Sequence, residues 1–430
     1  MSRSMADPQL LKRRARAMGP AYRLFYDQPV HLVRGEGAWL FDEEGKRYLD
    51  CYNNGASVGH CHPRVVEALS RQAATLNTHT RYLHENVVAY AERLGATLPG
   101  DLSVCMFVCT GTEANDLAVR IARTVTGKHG IVVCGDAYHG NSTTVYALST
   151  GEYPAAERPD WLQAVAAPCT YRGRFREAGP DAARGFAGLL EPAIGQLSER
   201  GHGAAMFITD NIYSSNGVLT PPPDYLREAY RLVRAAGGLA VADEVQSGLC
   251  RLGDHYWGFQ DAGVVPDIVT MGKPLGDGHP LAAVVTTPEI AERFAHKNHY
   301  FNTFGGNPVS AAVGLAVLDV IAEEAMLKNV HDTGLLLGEG LGALKSRHES
   351  IGDVRGKGLF FGVEIVGDRS TREPAPREAA RIREFMRENG VLLGTSGPFN
   401  NVIKIRPPLV FNHEHAALLL EQLDRALGAA

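Results

Sequence analysis

Short apolar runs alternate with amphipathic stretches through the middle of the chain. Strands buried on both faces are predicted at 104–109, 130–134, 205–209, 238–243, 267–271 and 281–286. Between several of them apolar residues return with helical spacing, as at 113–127 and 223–238. This alternation predicts an α/β fold, in which a mostly parallel sheet carries helices on both sides.

The two ends of the chain follow other patterns. Residues 34–53 predict a hairpin around the acidic turn DEEG. After a long helical stretch, a strand is predicted near 359–366 and a final helix near 413–427. A chain of 430 residues exceeds what one core usually supports. We expect an N-terminal segment packing with the small domain (1–60), a large domain (61–306) and a small α+β C-terminal domain (307–430).

Composition mainly excludes functions. A net charge of −5 gives no reason to expect nucleic acid or an anionic membrane as a partner. No run approaches the ~18 apolar residues of a membrane helix. The basic N-terminus lacks the features of a secretory signal; a transit peptide is one alternative, but Asp7 favours a plain helix. Seven scattered cysteines favour reduced thiols in the cytoplasm, and Cys105 and Cys109 lack the companions that a metal site needs.

The segment CTGTEAND (109–116) follows a predicted strand and opens a predicted helix. Gly111 and Thr112 lie where free backbone N–H groups of a helix start form an anion cradle. Thr110 and Glu113 also have the spacing of a capping box. A well-capped helix without a ligand therefore explains the segment equally well, and neither a Walker loop nor a dinucleotide fingerprint is present.

Two further segments place polar side chains at strand ends. Tyr138 and His139 leave the carboxyl edge of the sheet, where open α/β sheets bind ligands. Tyr138 could stack on a planar ring, although an aromatic lid over the core is the commoner role. Asp243 and Glu244 end another strand, where a carboxylate needs an arginine, a lysine, a metal ion or a protonated heterocycle. Because only Gln246 lies near as a further ligand, we favour the heterocycle over a metal.

Lys273 follows the predicted strand 267–271 and precedes a turn rich in proline and glycine. An isolated lysine is usually a surface residue, but a partly desolvated one has a lowered pKa and can form Schiff bases. An anion cradle, an aromatic plate, a buried acid and such a lysine are together what pyridoxal phosphate requires. We therefore expect this cofactor.

The chain resembles the class III aminotransferases, a branch of the fold-type-I pyridoxal-phosphate enzymes. The resemblance is carried by CTGTEANDLAVRIAR, AYHG, ADEVQSG, PDIVTMGKPLGDGHP and FNTFGGNP, in this order and spacing. It extends from residue 35 to residue 411. It implies a PLP-dependent transferase fold with a large and a small domain, and a homodimer whose active sites are shared between subunits.

The resemblance also implies cofactor contacts for individual residues. Lys273 forms the Schiff base and moves the proton, Asp243 keeps the ring nitrogen protonated, and Gln246 bonds the ring's phenolic oxygen. The other matching positions are Tyr138, beside His139, for ring stacking, Gly111 and Thr112 for the phosphate, and Thr303 for the phosphate of the other subunit.

On the substrate side, Arg406 matches the arginine with which many relatives grip a carboxylate, a pairing that suits its planar fork. Tyr52 is the second expected substrate contact. Further contacts suggested by position alone are Asn53, Asn54, Arg81 and Tyr82.

Two departures from the family pattern bear on the reaction. Many relatives carry a segment like EPVQGEGG where this chain has DNIYSSNG (210–217). Ser215 thus replaces a glutamate that neutralises the arginine in some members, which leaves Arg406 available and puts an ornithine- or GABA-type reaction in doubt. The loop KPLGDGHP (273–280) resembles the branch that contains alanine–glyoxylate aminotransferase and the ethanolamine-phosphate phospho-lyases.

Two reactions are therefore expected. We favour a transaminase that moves an amino group between an amine or amino acid and a 2-oxo acid, because Arg406 suits a carboxylate. The alternative is an ammonia-releasing lyase acting on a phosphorylated or phosphonate amino alcohol such as phosphoethanolamine, which the loop after Lys273 favours. A third hypothesis, a non-catalytic nucleotide-binding protein, predicts no covalent cofactor.

Overall fold

The computed structural model describes residues 7–176 and 179–429, and three sheets organise this part of the chain. The strands are β1 Leu32–Glu36, β2 Trp39–Asp42, β3 Arg47–Asp50, β4 Val104–Val108, β5 Gly130–Cys134, β6 Leu162–Val165, β7 Ala204–Asp210, β8 Leu239–Asp243, β9 Ile268–Met271, β10 Ala282–Thr286, β11 Ile351–Lys357, β12 Phe360–Asp368, β13 Glu373–Pro374, β14 Val391–Leu392, β15 Gly394–Ser396 and β16 Val402–Ile405.

Helices cover these sheets and connect their strands. They are α1 Pro8–Met18, α2 Pro63–Thr75, α3 Glu85–Gly95, α4 Gly111–Thr126, α5 Thr143–Leu148, α6 Pro180–Gly188, α7 Leu190–Glu199, α8 Tyr225–Ala235, α9 Pro288–Ala295, α10 Pro308–Glu323, α11 Met326–Arg347, α12 Pro376–Glu388 and α13 His413–Gly428. Short 3₁₀ turns lie at Ala155–Glu157, Gly258–Ala262 and Lys273–Gly276.

The central sheet has seven strands in the order β4-β10-β9-β8-β7-β5-β6. All six predicted strands are present, each within one residue of its expected ends. The seventh, β6, was missed because Gln163 interrupts its four residues. The sheet is parallel except for β10, which runs antiparallel to both neighbours. The chain passes from β9 to β10 through a short loop instead of a crossover helix, which a parallel return would need.

The two faces of the central sheet pack into different cores. On β5, Ile131 and Val133 pack with helix α4, whereas Val132 and Cys134 pack on the opposite side. Since successive side chains of a strand point to opposite faces, a sheet covered twice needs continuous apolar runs. Strand β4 departs from the predicted burial, because it lies at the edge and its first three residues are only half-buried.

The predicted hairpin near the N-terminus is confirmed as β2 and β3, and β1 adds a third antiparallel strand. Strand β3 pairs in parallel with β14, where Leu49 faces Val391. This pairing joins the N-terminal strands to the C-terminal part of the chain. It supports the predicted three-part division, which stays a prediction.

The last sheet has the order β11-β12-β16-β15, with β13 paired to β12. Its strand β16 brings the segment IKIRPPL against the N-terminal part of the chain just after β3, because Arg406 N donates to Cys51 O at 2.7 Å. The predicted strand near 359–366 and the final helix are confirmed as β12 and α13.

The N-terminal stretch forms a helix, as predicted, and the Asp7 carboxylate caps it by accepting the N–H of Gln9 at 2.8 Å. All seven cysteines are free. Among residues 7–176 and 179–429, no helix is both long enough and apolar enough to cross a bilayer.

Candidate active site

A cavity of ≈ 390 Å³ opens at the carboxyl ends of the central parallel strands. Four segments that the sequence predicted separately meet in it. Its walls are formed by Gly55, Cys109, Thr110, Gly111, Thr112, Asn115, Tyr138, His139, Gly140, Asp210, Asp243, Val245, Gln246, Lys273, Gly278, His279, Pro280 and Leu281. The cradle, the aromatic, the acid and the lysine thus share one site.

The cradle is formed at the start of α4. Thr110 Oγ1 accepts the N–H of Glu113 at 3.1 Å, and the Glu113 carboxylate accepts the N–H of Cys109 at 2.9 Å. Thr110 therefore caps the helix as expected, but the return bond of Glu113 goes to Cys109, one residue before the N-cap, so the capping box is not complete. The N–H groups of Gly111 and Thr112, which have no partner inside the helix, lie at the cavity wall. Capping and anion binding are therefore compatible uses of the same segment.

The acid at the end of β8, Asp243, is 4 % exposed. Its Oδ2 accepts from Asn115 Nδ2 at 2.9 Å and contacts His139 Nδ1 at 2.7 Å, while Oδ1 accepts the N–H of Val245. The partner is thus a histidine and an amide, not the arginine or lysine considered from the sequence. Hydrogen bonds to a carboxylate favour its charged form. Asp243 is suited to pair, through the cavity, with a protonated ring nitrogen.

His139 lies behind this carboxylate. Its ring is 3 % exposed, and its Nε2 has no hydrogen-bond partner among the described residues. With Nδ1–H donating to Asp243, the imidazole orients the acid and supports its negative charge. The ring contact predicted for His139 is therefore best understood as acting through Asp243.

Glu244 follows Asp243 but points away from the cavity. Its carboxylate accepts from Asn211, from Ser247 and from two N–H groups of the 3₁₀ turn Gly258–Ala262. Burial raises its pKa to about 7. Adjacent strand residues face opposite sides of the sheet, so the two acids that the sequence offered together have different environments.

Lys273 begins the 3₁₀ turn that follows β9. Its side chain is exposed because it lines the cavity, yet protein surrounds that cavity on most sides. Desolvation, with a smaller contribution from the positive charge of Arg406, lowers the pKa of Lys273 to about 8. Far more neutral, nucleophilic amine is therefore present near neutral pH than an ordinary lysine would supply.

Arg406 follows β16 and is 4 % exposed. Its Nε donates to Tyr52 O at 3.0 Å, one terminal nitrogen donates to Gln246 Oε1, and its guanidinium lies 4.8 Å from the Tyr52 ring centroid. No carboxylate of the described residues lies within 4.0 Å of it. Burial lowers its pKa from the ordinary arginine value. A buried cation without an ionic partner is a candidate anion site.

Gln246 connects this cation to the cofactor side of the cavity. Its Oε1 accepts from Arg406 and from Asn54 Nδ2 at 3.0 Å. The amide N–H groups remain as donors, which suits the predicted bond to a phenolic oxygen. Asn54, suggested by position as a substrate contact, is buried and holds Gln246.

Several predicted residues lie elsewhere. Thr303 is exposed and is not part of the cavity wall of its own chain. Arg81 lies over the Phe301 ring at 3.9 Å, and Tyr82 stacks on His79. Tyr138 lines the cavity as expected and is 39 % exposed. The contacts predicted for Thr303, Arg81 and Tyr82 would have to be made to another subunit.

Three residues of the site were missed by the sequence reasoning. Asn115 lies one turn into α4 and reaches Asp243, Asp210 lies beside Asp243 at the end of β7, and Lys404 lies two residues before Arg406. For Asn115 and Lys404, an amide or a lysine within an otherwise apolar stretch was the available signal. Asp210 directly follows the predicted strand 205–209, so the strand-end carboxylate that identified Asp243 was the available signal here as well.

Comparison with known proteins yields a consistent set of matches. The family model for class III aminotransferases matches residues 24–427. The chain is 44% identical to an alanine–glyoxylate aminotransferase 2-like protein of Drosophila melanogaster, over 100% of this chain and 91% of the relative. It is 39% identical to an ethanolamine-phosphate phospho-lyase homolog of Caenorhabditis elegans, over 97% and 93%.

Among solved structures, the chain is similar to a phospholyase from Arthrobacter in complex with phosphoethanolamine. The TM-score is 0.95 at 43% identity, covering 98% of this chain and 100% of that structure. The family model and these matches each span nearly the whole chain.

Proposed function

The chain belongs to the class III aminotransferases, which are pyridoxal-phosphate enzymes of fold type I, and we propose that it releases ammonia and phosphate from a phosphorylated amino alcohol. Phosphoethanolamine is the proposed representative of that substrate class. Transamination with a 2-oxo acid is the second candidate.

The observation that carries this proposal is the state of Arg406. It is a buried cation bonded to Gln246 of the cavity wall, without a carboxylate within 4.0 Å among the described residues. In the segment 210–217, Ser215 stands where relatives place the neutralising glutamate. Since an unpaired buried charge is costly, we infer that an anionic group of the substrate is its partner.

The choice of phosphate is supported by similarity. The bound molecule named for the Arthrobacter phospholyase is phosphoethanolamine, and that backbone matches at a TM-score of 0.95. Transamination is favoured by a different feature, the planar guanidinium fork of Arg406, which also fits a carboxylate. The name of the Drosophila relative supports the same second candidate.

The residues of the cavity fit the cofactor. When bound, pyridoxal phosphate captures primary amines and withdraws electrons from the carbon that bears the nitrogen. Lys273 offers a neutral amine to hold it covalently and, once displaced by substrate, a base for the adjacent C–H proton. Asp243, oriented by His139, keeps a proton on the ring nitrogen. Gln246 donates to the phenolic oxygen.

The remaining cofactor contacts follow from position. The free N–H groups of Gly111 and Thr112 would hold the phosphate, and Tyr138 would lie against the ring. A Cβ at Gly140 would lie 2.6 Å from Thr112 Oγ1, so only glycine lets this loop approach the cradle. These two loops define the phosphate end of the site.

One assay separates the two candidates. The cofactor-loaded protein is incubated with phosphoethanolamine in the absence of any oxo acid, and ammonia and inorganic phosphate are measured. Release of both in equal amounts is expected. If neither appears, while pyruvate and an amine yield alanine, transamination replaces the lyase as the function.

The proposal includes a homodimer with shared active sites. Several large apolar side chains are exposed in the described part of the chain, among them Tyr82 at 67 %, Leu83 at 99 % and Phe304 at 68 %. Patches of this kind usually mark protein interfaces, and Thr303 lies in this one. Light scattering is expected to give twice the 46.4 kDa chain mass. A cytoplasmic location, supported by the free cysteines, is also proposed.

A further inference from the structure

Lys404 is a second buried cation beside Arg406. It lies on β16, two residues before Arg406, so the two side chains leave the chain on the same side. Both flank the Phe360 ring, with Lys404 Nζ 5.6 Å and Arg406 Cζ 5.7 Å from its centroid. Two positive charges therefore converge on one region.

The ammonium of Lys404 is poorly compensated. It is 6 % exposed and can donate three hydrogen bonds, but its partner among the described residues is one carbonyl, Ser214 O at 3.1 Å. No carboxylate of the described chain lies within 4.0 Å. Burial and the neighbouring charge of Arg406 lower its pKa well below the ordinary lysine value. A buried charge with so few partners destabilises the folded state, and an anionic ligand would offset that cost.

Glycines on both neighbouring strands allow other segments to pack over this lysine. Its cross-strand neighbours are Gly362 on β12 and Gly394 on β15. A Cβ at Gly394 would lie 2.5 Å from the ring of Tyr52. The backbone oxygen of Tyr52 accepts a hydrogen bond from Arg406. The absence of side chains at these two positions lets Tyr52 and the 214–218 segment close over the cations.

Lys404 is connected to the cavity through its hydrogen-bond acceptor. Ser214, its acceptor, donates its own N–H to Asp210 Oδ2 at 2.8 Å, and Asp210 lines the cavity. The positive charges of Arg406 and Lys273 lower the pKa of Lys404, and the negative charge of Asp210 raises it. The three cations therefore lie close enough to influence one another, with Asp210 of the cavity wall among them.

We propose that Lys404 determines specificity by supplying, with Arg406, the second positive charge for a doubly charged phosphate group of the substrate. The proposal rests on the proposed function in taking the substrate to be a phosphate ester. A carboxylate or sulfate ester carries one negative charge and would need Arg406 alone. Lys404 would then explain a preference for phosphate over the singly charged groups of other amines.

The test uses two probes of the same shape and different charge on the holoenzyme. Methyl phosphate is doubly charged at about pH 8, since its second pKa is near 6, and methyl sulfate is singly charged. Calorimetry is expected to show that Lys404→Met weakens methyl phosphate about 10- to 100-fold and methyl sulfate less than about 3-fold. Lys357→Met, at a lysine paired with Asp254 and Asp261, is the control and should change neither affinity.

Thermal unfolding separates this role from a structural one. Removing a poorly compensated buried charge is expected to leave the Tm of Lys404→Met equal to or above that of the original protein. Equal weakening of both probes, or unchanged binding of methyl phosphate, would overturn the proposal.

The same experiments distinguish this proposal from the proposed function. If the holoenzyme binds methyl phosphate through Lys404 but releases no ammonia from phosphoethanolamine, the anion site is supported and the lyase function is rejected. If the holoenzyme releases ammonia and phosphate but Lys404→Met keeps its affinity for methyl phosphate, the lyase function is supported and the role of Lys404 is rejected.

Discussion

The two candidate anion sites, the cradle of α4 and the cation pair of β16, are built by different means. In the first, α4 presents the backbone N–H groups of Gly111 and Thr112. In the second, strand β16 places two side-chain cations, Lys404 and Arg406, in a buried setting. A backbone cradle holds an anion through dipoles that any sequence of suitable shape provides. Side-chain cations can be changed one at a time, which is why we propose that the cation pair sets the substrate preference.

The two sites also differ in how they are assembled. The cradle comes from eight consecutive residues, 109–116, with its cap inside the same segment. The cationic site joins Arg406 to Tyr52 and Gln246, which lie 354 and 160 residues away along the chain. Lys273 lines the same cavity as the cradle, and the charge of Arg406 acts on it.

The largest effect is expected at Lys273. Lys273→Ala removes the covalent attachment and the base, so turnover should fall below detection. The phosphate cradle should still bind the cofactor, because it does not depend on the lysine. Borohydride followed by mass analysis should show cofactor fixed to the original protein and none to the variant. Retained turnover would remove Lys273 from the mechanism.

Arg406→Ala should come next in size. Loss of a hydrogen-bonded charge is worth roughly 1.5–3 kcal/mol, or about 10- to 150-fold in the KM for phosphoethanolamine. Cofactor affinity should change little, because the cradle is built from other residues. Arg406→Lys keeps the charge and serves as the matched control. An unchanged KM in Arg406→Ala would mean that this residue does not contact the substrate anion.

The pH dependence of cofactor capture tests how the charge of Arg406 acts on Lys273. Only neutral Lys273 reacts, and burial lowers its pKa to about 8 from 10.5, so the capture rate of the apo protein should rise with a midpoint near 8. The charge of Arg406 contributes to this lowering. In Arg406→Ala the midpoint should move upward. Stopped-flow absorbance measures both, and a midpoint near 10.5 in the original protein would contradict the lowered pKa.

The smallest effect is expected from the helix caps. Thr110→Ala should cost about 1 kcal/mol in the free energy of unfolding, because the N–H of Glu113 loses its acceptor. It should also weaken cofactor binding, since the cradle begins at this cap. Thr287→Ala removes a comparable cap on α9 and should lower stability alone. If both variants weakened cofactor binding equally, the cap at Thr110 would have no specific role in the cofactor cradle.

The strand ends of the central sheet show how far sequence reasoning reaches. Lys273 and Asp243 were placed at strand ends because apolar runs, capping residues and turn residues act over a few positions. The direction of β10 was not predicted, because it depends on whether the loop crosses the sheet. The protein partners of Asp243 also escaped prediction: an arginine or a lysine was considered, whereas His139 and Asn115 contact the carboxylate. The favoured pairing of Asp243 with a protonated heterocycle stays a prediction.

By itself, the sequence determined the order of strands and helices, the cradle of α4 and the lysine after β9, since each is encoded in a continuous stretch by periodicity, capping or turn chemistry. Only the tertiary structure decided the cation pair of β16. There Lys404 meets a carbonyl 190 residues away, and its burial depends on glycines of two neighbouring strands. Burial and charge pairing are properties of packing between distant segments, which no local pattern contains.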